Sequence, residues 1–235
     1  MKTAIWQVWI GDLRGSKSIA PGARARASQQ LAESIEAAVQ RYRDAFKLRP
    51  SVLRGDEIQA VLVPDAPTLT ILTYIRGQIA MRGAPIQGIY AGIGLGTVPI
   101  LHARSPFESE GPAFHLARRA LDSLKDKKYG RALTAWITDH PSFDEAAKAI
   151  LPLLDSFFVR WTREQWEAIV HRLPGSTMQT IGEELGVAGQ AVHKRLNAAR
   201  WKEVAKAIEY LESRHPGLSG GARNAAADLP ARPRA

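Results

Sequence analysis

The sequence predicts an α+β chain, with a ferredoxin-like domain over residues 1–140 and an all-α domain over residues 141–214. Three observations lead there. Apolar runs of strand length alternate with longer helix-period segments, in the order strand, helix, hairpin, helix, strand, helix. That is the βαββαβ order of a ferredoxin-like sheet with its helices packed on one face. After Asp139-His140-Pro141 only helical patterns remain. Finally, Gly11-Asp12 and Gly55-Asp56 each follow an apolar run, which places carboxylates at two strand ends.

Residues 3–10 are almost wholly apolar and read as a strand buried on both faces, with residues 11–22 as a loop. A helix is expected over 23–48, because Leu31, Ile35, Ala38, Val39, Tyr42 and Phe46 recur at helical spacing; Pro50 closes it. Residues 51–53 and 58–63 are short apolar runs around Gly55-Asp56, a hairpin with a carboxylate at its tip or an ordinary solvated turn. A helix through residue 81 follows, then a strand over 86–95. Its glycines imply close approach of a ligand or another backbone, or bulges. Residues 97–101 continue that strand or return from it. A third helix over 113–125 and a late strand over 131–138 complete this half.

In the second half, Ser142 with Glu145 and Thr162 with Gln165 have the capping-box spacing that starts helices. Pro152 marks a kink in the first of these. Helices are expected over 162–173, 178–185 and 189–210. Residues 215–235 are rich in Gly, Ala, Pro and Arg without periodicity, and read as a disordered tail.

Composition narrows the function. Hydrophobic residues make up 45% and charged residues 23% of 235 residues, enough for a sizeable core. The absence of cysteine excludes disulfides, thiolate metal sites and a Cys nucleophile, and suits a reducing cytoplasm. The formal charge of +9 suits a polyanionic partner such as nucleic acid or nucleotide phosphate. No apolar stretch reaches the roughly 18 residues of a transmembrane helix, and the start lacks a signal-peptide pattern, so a cytoplasmic protein without a membrane partner is expected.

Asp12, Asp56 and Glu57 are the candidate metal ligands. Mg²⁺ takes oxygen donors, often one or two carboxylates with phosphate oxygens and water, and the two strand ends are neighbours in a ferredoxin-like order. Glu57 lies one residue beyond Asp56, on the other side of an extended backbone. The turn Leu13-Arg14-Gly15-Ser16-Lys17 offers backbone N–H groups and a lysine for phosphate.

The segments Gly11–Ser16, Gly55–Gln59, Ala91–Gly96 and Gly111–Arg119 resemble the SatD family, and through it the palm-type domains of class III nucleotidyl cyclases and GGDEF diguanylate cyclases. The resemblance implies two-metal binding by Asp12 and Asp56, with Mg²⁺ or Mn²⁺ as the ion. The cyclase helix motif falls on residues 114–119. Its phosphate-stabilising arginine falls on Arg119, the catalytic candidate, and its asparagine on His115. The purine-reading lysine falls near Val52, and Arg54 and Ile58 replace the first Gly and the Phe of the GGDEF signature.

Residues 176–202 resemble a helix-turn-helix. Ile181, Leu185, Val187, Val192 and Leu196 have the spacing of two short packed helices, with Gly186 at the turn. The alternative is a helical hairpin serving packing or dimerisation. In a DNA-binding reading, Gln190, His193, Lys194 and Asn197 face base edges while Thr180, Arg195 and Arg200 contact phosphate. The combined expectation is a SatD-like regulatory or signalling protein, a homodimer, that binds a nucleoside triphosphate with Mg²⁺ and DNA. The alternatives are an active nucleotidyl cyclase or polymerase using two-metal phosphoryl transfer, and an inert interaction module.

Overall fold

The computed structural model describes residues 4–15, 19–53, 56–83, 86, 88–102, 105–125 and 132–220. Five strands form one sheet in the order β2-β3-β1-β4-β5. They are β1 (Ile5–Leu13), β2 (Phe46–Leu53), β3 (Glu57–Leu62), β4 (Ile89–Thr97) and β5 (Thr134–Ile137). Strand β1 is central and antiparallel to both β3 and β4, β2 pairs antiparallel with β3, and β5 is parallel to β4. The first four strands therefore have the ferredoxin-like order, with β5 added at one edge.

Val8, Trp9 and Ile10 are all buried, as a continuous apolar run in a strand covered on both faces must be. Helices α1 (Pro21–Arg41) and α2 (Thr68–Met81) cover one face, where Trp9, Leu13, Ile58 and Ile93 join Leu31, Ile35, Leu72 and Ile75 in one apolar cluster. Helix α3 (Pro112–Lys125) covers the other, where Val8, Ile10 and Val61 meet Ala113, Ala117 and Leu121. Thus the two helices of the βαββαβ unit share a face as expected, and the third takes the opposite one. The glycines of β4 explain how it fits. A Cβ on Gly92 would lie 2.3 Å from the Ala117 carbonyl oxygen, and one on Gly94 would lie 2.2 Å from that of Ala113. Their role is close approach of a helix backbone.

Helices α4 (Pro141–Phe158), α5 (Arg163–Arg172), α6 (Met178–Leu185), α7 (Gly189–Ala198) and α8 (Trp201–Arg214) follow. The apolar core runs from the sheet through α2 into these helices without a break. At Gly77 of α2, an added Cβ would fall 2.3 Å from Val170 Cγ2 of α5. Trp161 stacks edge-on against Trp166 and Trp201, and its indole N–H donates to the Ala199 carbonyl at 2.9 Å. Across the same seam, buried Arg76 of α2 donates to Asp155 of α4 at 3.3 Å and to the carbonyls of Ile89 and Leu133 at 3.0 and 3.1 Å. Asp155 also accepts from the Leu133 and Thr134 N–H groups and the Thr134 hydroxyl.

Several boundaries differ from the expectation. Strand β1 continues to Leu13, so Asp12 lies within the strand, not in the loop after it. Helix α1 stops at Arg41, and after a short 3₁₀ turn Phe46 opens β2. Tyr42 and Phe46 happen to sit four apart, which mimics helical spacing across this turn. Pro50 is tolerated inside β2 because that strand is at the sheet edge. Residue His140, not Ser142, is the N-cap of α4, while Asp144 accepts from the Thr138 N–H and hydroxyl. The Thr162–Gln165 capping box is present. The helix expected over 189–210 breaks at Arg200, whose φ is 53°. Part of the segment expected as a disordered tail is structured: His215 is buried between Trp136 and Phe143, and residues 216–220 form a 3₁₀ turn. Residues 221–235 lie outside the described residues.

Candidate functional site

The β1–β3 ladder decides which carboxylates meet. Asp12 lies opposite Glu57 in Cα register, as Ile10 lies opposite Gln59 and Val8 opposite Val61. Val8, Ile10 and Val61 belong to the cluster under α3. By the alternation of a strand, Asp12 and Glu57 continue that row toward the strand ends. Asp56 sits just outside the ladder in the hairpin turn, where its N–H lies 3.4 Å from the Leu53 carbonyl. The residue in register with Asp12 is therefore Glu57, not Asp56. Among the described residues, no three His, Asp or Glu side chains gather as a metal cluster, so the expected triad of Asp12, Asp56 and Glu57 is not drawn together.

Helix α3 supplies cations to both members of the pair. Lys125 Nζ lies 3.0 Å from Asp12 Oδ2, and Arg118 Nη2 donates to Glu57 Oε1 at 2.7 Å. The Gln59 amide adds a bond to the same Glu57 oxygen at 2.9 Å. Arg118 and Lys125 are seven residues apart, two helical turns, so one face of α3 presents both. Burial alone would raise the Glu57 carboxyl. The bonds from Arg118 and Gln59, with the charges of Arg118 and Lys125, outweigh it and hold the group below the usual carboxylate range.

The arginine expected to act points elsewhere. Arg119 Nη1 lies 3.8 Å from Asp139 Oδ1, both side chains being well exposed, and Arg119 lines a cleft with β5 and α4. His115 is exposed on α3. The anticipated phosphate cradle is also partly used internally. Leu13 is buried and pairs with Ile89 in the ladder, and the Arg14 N–H donates to the Gly88 carbonyl at 2.9 Å. Gly15 adopts a φ of 76°, while Ser16 and Lys17 lie outside the described residues.

A family model, the SatD family, matches residues 6–209. The chain belongs to the SatD family. No curated protein matches this SatD-family chain in sequence. Among solved structures, it is similar to a bacterial light-regulated adenylyl cyclase, with a TM-score of 0.41 and 10% identity over 58% of this chain and 77% of that one. A second structure of a bacterial light-regulated adenylyl cyclase gives 0.41 and 12%, over 57% and 43% of the two chains. The guanylyl cyclase Cya2 gives 0.37 and 15%, over 52% and 71%.

The second candidate site lies on α6 and α7. Gly186 adopts a φ of 66° as the turn requires, and the Val187 N–H returns to the Gly182 carbonyl at 2.8 Å. Val192 and Leu196 bury the inner face of α7. Gln190, His193, Lys194 and Asn197 are exposed together on its outer face, with His193 and Asn197 3.1 Å apart. Arg195 instead turns back to Glu167 of α5 at 3.5 Å and is partly buried, so it is less available to phosphate than expected. Thr180 is exposed, with its hydroxyl on Thr177 at 2.8 Å, and Arg200 is exposed at the α7–α8 junction. Sequence reading passed over Arg118, Lys125 and Gln59; the seven-residue spacing of two basic residues on an amphipathic helix was the available signal.

The Glu57 environment gives a titration prediction. Arg118→Ala removes the strongest opposing partner and leaves burial, so the Glu57 carboxyl should titrate at higher pH than in the wild type. In the wild type, the stability contributed by Glu57 is present above its unfolded pKa and is lost as pH falls through its lower folded value. Carboxyl-carbon NMR across pH 2–7 would measure the shift. An unchanged Glu57 midpoint would contradict the ion pair.

Proposed function

We propose that this SatD-family protein is a regulatory protein that binds a nucleoside triphosphate with Mg²⁺ or Mn²⁺ at the β1–β3 carboxylates, and DNA through α7. One observation supports the nucleotide half most strongly. Asp12 and Glu57 stand opposite each other on neighbouring strands, with two α3 cations directly on them.

The donor set fits such an ion in kind and number, since Mg²⁺ is commonly held by one or two carboxylates plus phosphate oxygens. Asp12 and Glu57 would hold it. The ion would supply charge neutralisation for the phosphates. Lys125 and Arg118 are the chain's own counter-ions for the same carboxylates. Their side chains are 50% and 39% exposed, so the pairs are weak and can be exchanged. With the carboxylates engaged by such an ion, Lys125 and Arg118 would be free to reach phosphate oxygens.

Calorimetric titration with ATP and with GTP, each with and without Mg²⁺, tests this half. Saturable heat that requires Mg²⁺ and is lost in Asp12→Asn is expected. No heat with either nucleotide would overturn the reading and favour an inert module. Conversion of the nucleotide to a new product would favour the cyclase or polymerase alternative.

The DNA half is supported by the coherent outer face of α7. Gln190, His193, Lys194 and Asn197 lie at helical spacing, exposed, on a helix whose other side is packed. A homodimer would present two such helices to two half-sites. Gel-shift titration of short duplex DNA in low salt should show binding that weakens with added salt. Lys194→Glu should reduce affinity by about tenfold, the scale of one lost contact. Absence of any shifted complex on duplex DNA would remove this half.

A further inference from the structure

Helix α4 is apolar on both of its sides. From Ala146 to Phe158 its polar residues are Lys148, Asp155 and Ser156, and Asp155 is spent inward on Arg76. Phe143, Ala147, Leu151, Leu154 and Phe158 form the side that packs into the core. The opposite side carries a second stripe, at Ala146, Ala149, Leu153 and Ser156. Their spacing alternates three and four residues, the period of a helix-pairing seam. Ala149 and Ser156 are exposed, and Leu153 leaves 64% of its surface in water. Ile150 and Phe157 border the stripe and are half-buried. A helix that is apolar all round is ordinarily covered all round, yet this side of α4 faces solvent.

The charges at the two ends of the stripe indicate what covers it. Glu145 precedes it and Arg160 follows it, both exposed. Among the described residues, neither side chain forms an ion pair within the chain. Two copies of α4 laid antiparallel, with a two-fold axis at the level of Leu151, place Leu153 of each copy on Ala149 of the other, large against small. The same pairing brings Glu145 of each copy within side-chain reach of Arg160 of the other. A stripe whose two halves complement each other is self-complementary, as an isologous interface requires. Its hydroxyl is already satisfied, because Ser156 Oγ donates to the Leu153 carbonyl at 2.7 Å. Covering the stripe therefore strands no polar group there. Lys148 lies on the flank, clear of the seam.

We infer that this face of α4 is the surface through which two copies of the chain associate. One helix face is small beside the roughly 1,200–2,000 Å² of a standard interface. Exchange between monomer and dimer at micromolar concentration is therefore expected. The assignment supplies the dimer that the DNA reading calls for, but it rests on α4 alone and its test contains no DNA.

Sedimentation equilibrium of the full chain tests it, across about 1–200 µM to bracket a micromolar Kd. Low ionic strength keeps the surface ion pairs least screened. The wild type should show a monomer–dimer equilibrium. Leu153→Glu should weaken it at least about tenfold, since it puts a charge into the apolar centre of the seam. Its far-UV circular dichroism should not change, because position 153 faces solvent in the monomer. Glu145→Arg and Arg160→Glu should each weaken the dimer several-fold, since the two-fold axis applies each change twice. The double variant should restore association, because the swap exchanges the two partners of one contact. That rescue separates paired copies from unspecific apolar adhesion. A wild type that stays monomeric throughout would overturn the proposal and leave the stripe to a partner of another kind. A dimer indifferent to Leu153→Glu would overturn it too, as would a double variant no tighter than either single one.

Discussion

The buried pair of Arg76 and Asp155 is the contact on which the arrangement of this molecule depends. Arg76 and Asp155 expose 6% and 1% of their side chains. Neither charge would be tolerated there alone. The arginine reaches the carbonyls of Ile89 and Leu133 at the entrances to β4 and β5, and the carboxylate gathers three donors from Leu133 and Thr134. One pair thereby fixes α2, α4 and the β4–β5 edge of the sheet relative to one another. A buried pair of this kind contributes little beyond what well-packed apolar residues could, but removing one partner leaves the other uncompensated at a cost of about 3–5 kcal/mol. Its value here is geometric, because few other arrangements satisfy so many polar atoms at once.

With that edge fixed, the opposite face of the sheet is set by close packing. Gly92 and Gly94 let α3 approach the sheet backbone, and this approach brings Arg118 and Lys125 over Glu57 and Asp12. The nucleotide candidate is thus a consequence of two glycines in a central strand. It is also self-neutralised: each carboxylate has a basic partner from the same helix.

Much of this was legible in the amino-acid order. The βαββαβ alternation gave the sheet order, and Thr162 with Gln165 and the turn at Gly186 gave local helix ends, because those rules depend on neighbours in sequence. The misreadings have tertiary causes. Phe46 fits both a helix stripe and a strand edge, and only the pairing of β2 with β3 decides between them. That Glu57, not Asp56, stands opposite Asp12 depends on a register set across two strands. The reach of Arg118, and the turning away of Arg119, depend on how α3 is rotated on glycines it does not contain. His215 looked like part of a polar tail because its aromatic partners, Trp136 and Phe143, are more than seventy residues earlier in the sequence.

Joined by one unbroken core and by Arg76 and Asp155, sheet and helices are expected to unfold as a single cooperative unit. Urea unfolding, followed residue by residue through amide exchange in β4 and in α5, tests it most directly. The wild type should show one shared midpoint for both elements, and Asp155→Ala should lower both together by about 3–5 kcal/mol. Separate midpoints in the wild type, or a variant that loosens α5 while β4 is unchanged, would contradict it.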